Sequence, residues 1–167
     1  MSVQTLPVTR APAGFDAFFG EHHARLVRAC LVLTGDPAEA EDLAQEAMAR
    51  ALERWDRVST MDDPEGYVYR TAINLHRNAV RRLARAARRR ITPAPTDEAE
   101  AADRRLDLLR AIRSLPPTQR EALALVEWLG YTAEEAGAVL GIDAASVRGR
   151  LHRARRTLRE RCGGPDG

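Results

Sequence analysis

Lysine is missing from this chain: all 26 of its cationic residues are arginine, set against 24 carboxylates in 167 residues, for a net charge of +2. Such a bias reflects a GC-rich genome as much as a demand for guanidinium chemistry, so position along the chain rather than abundance bears on partner choice. Aromatics are only 5% of residues and β-branched runs are scarce. That excludes a typical sheet core and points to helices built from Leu, Ala and Val. No apolar run approaches the length needed to cross a bilayer, and the N-terminus lacks a cationic segment followed by a long apolar core. No membrane insertion is expected, and the protein should stay in the cytoplasm. Cysteine occurs twice, at Cys30 and Cys162, with neither metal-ligand spacing nor a disulfide framework, so both read as buried or incidental thiols. His22 and His23 are adjacent and diverge on a helix, which argues against a metal site. There is also no Gly-rich phosphate loop, no clustered ligand set and no nucleophile beside a base. The expectation is a non-enzyme without cofactor or metal.

What is present is a marked segregation of charge. Asp36 to Glu65 is rich in carboxylates, whereas Gly66 to Thr96 contains none. Different surfaces therefore suit different partners.

Helical periodicity divides the chain. Residues 1–14 contain Pro7, Pro12 and Gly14 without any period and read as a flexible leader. Phe15, Phe18, Phe19, His22, Leu26, Ala29, Cys30 and Leu33 then recur at helical spacing up to a Gly35 terminator. Asp36-Pro37-Ala38-Glu39 has the form of a capping box that opens a second helix, running to about Trp55. Leu43, Ala47, Ala51 and Trp55 form its packing face, opposite an acidic surface of Glu39, Asp42, Gln45, Glu46 and Glu53. Asp56 to Asp63 is polar and irregular, and Asp63-Pro64 restarts the helix.

The next helix sets Val68, Ala72, Leu75, Ala79, Leu83 and Ala86 on one side and Arg70, Asn74, Arg77, Arg81, Arg85 and Arg88 on the other. A solvated face would intersperse Glu among such arginines, and none appears. An unbroken stripe of guanidinium and amide groups suits a phosphate backbone, with Tyr67 and Tyr69 as stacking platforms for unpaired bases. Residues 91–103 shift abruptly to Pro, Ala and acid and read as a linker. Beyond it Leu106, Leu109, Ile112 and Leu115 restore the period until Pro116-Pro117. Thr118 is the expected cap of a helix from Gln119 to Leu129, with Leu123, Val126 and Trp128 inward.

The most informative stretch is Tyr131 to Arg161. It predicts a helix with Ala136, Val139 and Leu140 inward, a turn at Gly141-Ile142-Asp143, and a basic second helix capped by Asp143. Val147, Leu151, Ala154 and Leu158 make that helix's packing stripe, which turns Arg148, His152, Arg155 and Arg159 to solvent. These are the proportions of a helix-turn-helix whose second helix enters the major groove. The fold class expected is all-α: two small helical domains, 15–90 and 104–162, joined by a flexible linker, the second a helix-turn-helix, with a tail at 163–167.

In order, AEDLAQEAMARAL (Ala40 to Leu52), YVYRTAINLHRNAVRR (Tyr67 to Arg82), AIRSLPPTQREALAL (Ala111 to Leu125) and SVRGRLHRARRTL (Ser146 to Leu158) resemble the extracytoplasmic-function type of bacterial RNA polymerase sigma factor. The resemblance covers Phe15 to about Arg161. It implies core RNA polymerase and promoter DNA as partners, and admits an anti-sigma factor. It implies that Asp42, Leu43, Gln45 and Glu46 contact the polymerase clamp, and that the loop at Asp56 to Asp63 captures a flipped base. Tyr67, Tyr69, Arg70, Asn74, Arg77, Asn78, Arg81 and Arg82 would read and melt the −10 element. Ser146, Arg148, Gly149, His152, Arg153, Arg155 and Arg156 would face the −35 element. Tyr67 stands where the family usually has Trp, Asn78 where Asp is common, and Gly149 where a small hydroxyl residue is frequent. Ala136 and Gly137 replace larger residues, which predicts a lightly packed turn motif. Two other readings differ in what they expect. A stand-alone helix-turn-helix regulator would bind a duplex palindrome unaided, and a helical adaptor would show no salt-dependent affinity for nucleic acid.

Overall fold

The computed structural model describes residues 14–87 and 104–162. The expected leader up to residue 13, the linker, the tail and Arg88 lie outside them. Every regular element among the described residues is helical, the all-α class that the composition implies.

The first helix, α1, spans Phe15–Thr34 and ends at Gly35, whose φ of 72° lets its amide turn back to donate to Leu31 O at 2.8 Å. Asp36 then caps α2, Pro37–Glu53, by accepting the Glu39 amide at 3.0 Å. The reciprocal half of the expected capping box belongs to a different residue: the Asp36 amide donates to Thr34 Oγ1 at 3.2 Å. The chain breaks at Arg54, and Trp55–Val58 forms a single turn, α3, where only irregular structure is expected. The turn forms because Trp55 and Val58, three residues apart, bury on one side, Trp55 meeting Phe15 edge to face at 5.2 Å between ring centroids. Asp63 Oδ1 accepts the Gly66 amide at 2.8 Å and so opens α4, Pro64–Ala87.

After α5, Arg104–Arg113, helix α6 spans Pro117–Leu123 and passes into a π-helical stretch at Ala124–Trp128. Thr118 is not its cap. Pro116 is extended and Pro117 supplies the φ suited to a first helical position, which places Thr118 inside the first turn. The π register also turns Trp128 outward, where it is 36% exposed, contrary to its expected inward place.

Helix α7, Ala133–Leu140, opens on a capping box: the Glu135 amide donates to Thr132 Oγ1 at 3.1 Å and the Thr132 amide to Glu135 Oε2 at 2.8 Å. It ends at Gly141, φ 70°, and α8, Ala144–Cys162, follows from an Asp143 cap on the Ser146 amide at 2.7 Å. The turn motif is tight rather than lightly packed. A Cβ on Gly137 would stand 2.6 Å from the Ile142 carbonyl oxygen, so the absence of a side chain is what lets the two helices approach.

Helix α1 is the hub of the molecule. It packs on α2 and α4 on one side and on α5, α6 and the π stretch on the other. Leu26, Cys30 and Leu33 of α1 join Met48, Val68 and Ile73 from the first half and Leu123, Leu125 and Leu129 from the second in one contiguous core. At about 1.5–3 kcal/mol for each large apolar side chain removed from water, this shared core binds the halves to each other as well as folding each of them.

A candidate nucleic-acid interface in two rows

Helix α4 shows which side chains its first row presents. Arg70, Asn74, Asn78, Arg81, Arg82 and Arg85 are exposed. Arg50, Leu75, Asn78, Arg81, Arg82 and Arg85 line one cationic groove. Arg81 is steadied by its own helix, donating to Asn78 Oδ1 at 3.1 Å and to Arg77 O at 3.3 Å. Among the described residues Arg70, Arg82 and Arg85 have no carboxylate partner. Unneutralised guanidinium groups along one helix form a field that attracts a polyanion. Tyr67 is half-buried in a second groove, between α2 and α4, together with Glu46, Asn74 and Asn78.

Two residues of this row are placed differently from the sequence reading. Tyr69 is not an open stacking platform, being 2% exposed. Its ring meets Tyr131 edge to face and its hydroxyl donates to Glu65 Oε1 at 2.6 Å. Burial, then that bond, push its ionisation well above the usual phenol range. Arg77 donates through Nε and Nη2 to the two carboxylate oxygens of Glu121, each at 2.7 Å, and is 32% exposed. Hydrogen bonding to Glu121 raises its pKa further, holding the charge fixed. The cause of both is one rotation of the packing stripe. The buried side of α4 carries Val68, Tyr69, Ala72, Ile73 and His76, whereas Leu83, 69% exposed, and Ala86 lie beyond the core. Periodicity alone places the stripe around Leu75 and Leu83, because it cannot register that a second body packs against α4.

The second row lies on α8. Arg148, His152, Arg153, Arg155 and Arg156 are exposed, while Val147, Leu151 and Ala154 are buried beneath them. Arg148 Nη1 reaches Glu134 Oε1 at 3.0 Å, an exposed pair that solvent and salt screen. Arg155 pairs with Glu127 on the π stretch. Arg156 stands 3.8 Å from Glu160. The Ser146 hydroxyl is already engaged, donating to Asp143 Oδ2 at 3.0 Å. Gly149 is half-buried, and a Cβ there would meet only the Arg153 guanidinium, at 3.6 Å. Arg150 turns inward, with Nη1 3.8 Å from Glu121 Oε2.

On α2, Asp42, Gln45 and Glu46 are exposed and Leu43 is half-buried beside them, an acidic face that borders the first row where Glu46 shares a groove with Asn74 and Asn78. Gln45 donates to Glu41 at 3.2 Å, and Arg50 donates to Glu46 at 2.9 Å.

Sequence reasoning missed the seam between the halves. Arg25 donates to Glu65 at 3.0 Å and also to Leu129 O. Arg113 donates to Gly35 O at 2.7 Å and Arg120 to Thr34 O at 3.2 Å, so side chains from the second half satisfy the carbonyls that α1 leaves open at its C-terminus. No local pattern could have signalled these bonds, which join residues 40 to 104 positions apart, far beyond any helical period. Among the described residues no helix is long and apolar enough to cross a membrane.

The comparisons with known proteins follow the same division. The family model for sigma-70 region 2 matches residues 18–86, and that for sigma-70 region 4 matches residues 105–158. The RNA polymerase sigma-E factor of Streptomyces coelicolor is 33% identical over 150 residues, covering 87% of this chain and 84% of that protein. The ECF RNA polymerase sigma factor SigL of Mycobacterium tuberculosis is 32% identical over 154 residues, covering 86% and 85%. Among solved structures, the sigma factor RpoE in complex with the anti-sigma factor NepR from Bartonella quintana superposes with a TM-score of 0.75 over 91% of this chain and 98% of that one. At 21% identity that likeness shows the fold. With both regional models in order along one chain, and sigma factors matched over most of both lengths, this chain belongs to the extracytoplasmic-function group of sigma-70 family RNA polymerase sigma factors.

Proposed function

We propose that the chain divides its work as its charge is divided, with residues 15–90 engaging core RNA polymerase and the −10 element and residues 104–162 engaging the −35 element. The acidic face of Asp42, Leu43, Gln45 and Glu46 docks on the polymerase clamp. Arg70, Asn74, Asn78, Arg81 and Arg82, with Tyr67 in the adjoining groove, hold the melted −10 strand, and Arg77 joins them once it leaves Glu121. Arg148, His152 and Arg153 face the −35 duplex. Gly149 admits close approach there, and Arg155 and Arg156 lie toward the backbone. Ser146 positions the start of the helix through its bonds to Asp143.

The observation that carries this reading is that Arg70, Arg82 and Arg85 stand exposed on α4 without carboxylate partners, on the same chain as a helix-turn-helix with an exposed basic second helix. The polymerase supplies the chemistry, and this chain, acting in the cytoplasm, supplies recognition and strand capture without catalysis of its own. The solved relative held by an anti-sigma factor supports the same mode of control here. In vitro transcription with core polymerase over a genomic fragment library tests the function: discrete start sites dependent on this chain are expected. Duplex palindrome binding by the chain alone, with no stimulation of core polymerase, would instead establish a stand-alone regulator.

A further inference from the structure

We propose that the two grooves along α4 together bind a free nucleoside triphosphate, its base lying on Tyr67 and its phosphates on Arg81, Arg82 and Arg85. The binding stands on the grooves alone. Its competition with promoter DNA rests on the reading that the α4 face holds the −10 strand. Arg50, Leu75 and Asn78 line both grooves, so the two adjoin. Their volumes, about 370 and 400 Å³, lie in the range of small-molecule sites, about 300–1,000 Å³.

The two ends differ in chemistry. Glu46 and Glu53 line the first groove, beside Arg54, whereas four arginines and no carboxylate line the second. Arg82 and Arg85 have no carboxylate partner among the described residues, and Arg50 joins them from α2, its 2.9 Å bond to Glu46 being an exposed pair that phosphate can outcompete. A guanidinium fork takes phosphate oxygens two at a time. A triphosphate is therefore drawn to the second groove and kept from the first by Glu46 and Glu53. In the first groove Tyr67 supplies a ring on which a base can stack. The exposed side-chain amide of Asn74 has no hydrogen-bond partner among the described residues. An open amide carries the donor and acceptor that adenine matches through N7 and N6. Asn78 is not equivalent, since its Oδ1 already accepts from Arg81 at 3.1 Å. A nucleotide seated this way covers Asn74, Asn78, Arg81 and Arg82, so nucleotide and melted strand exclude each other.

The test is calorimetric titration of the full chain with ATP, inorganic tripolyphosphate and adenosine. ATP is expected to bind once per chain and about tenfold more tightly than tripolyphosphate, the lower part of what stacking one base contributes. Adenosine alone should give no measurable heat. Arg82→Ala combined with Arg85→Ala, both at exposed positions, should weaken ATP and tripolyphosphate at least tenfold with helix content unchanged. Asn74→Ala, also exposed, should weaken ATP alone. ATP should also displace a labelled mixed-sequence single-stranded oligodeoxynucleotide. Equal affinity for ATP and tripolyphosphate would reduce the site to a row of charges and overturn the proposal. So would ATP binding that survives loss of Arg82 and Arg85, or an oligonucleotide that binds where ATP does not. ATP binding that leaves the oligonucleotide in place keeps the nucleotide site and overturns instead the assignment of this face to the −10 strand.

Discussion

The α-carbon of Gly137 lies so close to the backbone of Ile142 that an added Cβ would come within 2.6 Å of its carbonyl oxygen, while the Ile142 amide donates to Gly137 O at 3.0 Å. The two bends of the turn motif are thus locked together through main chain.

Gly137→Ala tests that contact against helix propensity. In an exposed helix interior the substitution would stabilise by about 0.8–1 kcal/mol. Here the contact is with backbone, which cannot swing away, and overpacking of this kind costs about 1–3 kcal/mol. A net loss of stability in urea unfolding is expected. A gain would mean that α7 and α8 shift apart freely.

His76 makes the structure sensitive to acid. It is 8% exposed, and burial, then the Arg120 charge, hold its pKa below the ordinary 6.5, with Glu121 opposing them. A group whose folded pKa is depressed binds its proton more readily when exposed. Its stabilising effect is therefore complete above 6.5 and is lost as pH falls below that value toward the folded pKa. Stability measured between pH 8 and about pH 5 should fall less steeply in His76→Asn than in wild type. Superimposable profiles would remove His76 from the seam's energetics.

The two thiols should react at very different rates. Cys30 is fully buried, and burial, then the Glu41 charge, push its pKa up to about 12, whereas Cys162 is exposed. Thiolate is the reactive form, so alkylation at neutral pH should give one adduct on the native chain and two in denaturant, read by mass spectrometry. Rapid double labelling of the native chain would show that α1 opens readily around Cys30.

Arg148→Ala addresses promoter reading. If Arg148 reads a base, the substitution costs about 1–3 kcal/mol of discrimination between specific and scrambled −35 duplexes, measured by competition at fixed salt. Glu134→Ala, which frees Arg148 from its 3.0 Å partner, should strengthen binding to both duplexes. Equal losses for Arg148→Ala on the two duplexes would show that it touches only phosphate.

The acidic face is tested by Asp42→Arg combined with Glu46→Arg. Both side chains are exposed, and the one bond lost, Arg50 to Glu46 at 2.9 Å, is a surface pair on a single helix worth about 0.3–0.5 kcal/mol. Co-purification with core polymerase should be abolished with the thermal transition nearly unchanged. Retained co-purification would place the polymerase contact elsewhere.

Local chemistry in the sequence was enough to place the caps at Asp36, Asp143, Gly35 and Gly141, the packing stripe Val147, Leu151 and Ala154, and the segregation of acid from arginine. Each of these depends on residues within a few turns of one another, where propensity, capping and periodicity act. Thr132 and Glu135 carried a legible capping-box signal of the same kind. The burial of Tyr69, the capture of Arg77 by Glu121 and the inward turn of Arg150 were decided only by tertiary structure. Periodicity can say that α4 has an apolar and a cationic side, but which residues at their border are covered depends on the body that docks there. That body arrives through α1, whose two sides serve both halves, and no short-range preference along the chain encodes the angle at which it does so.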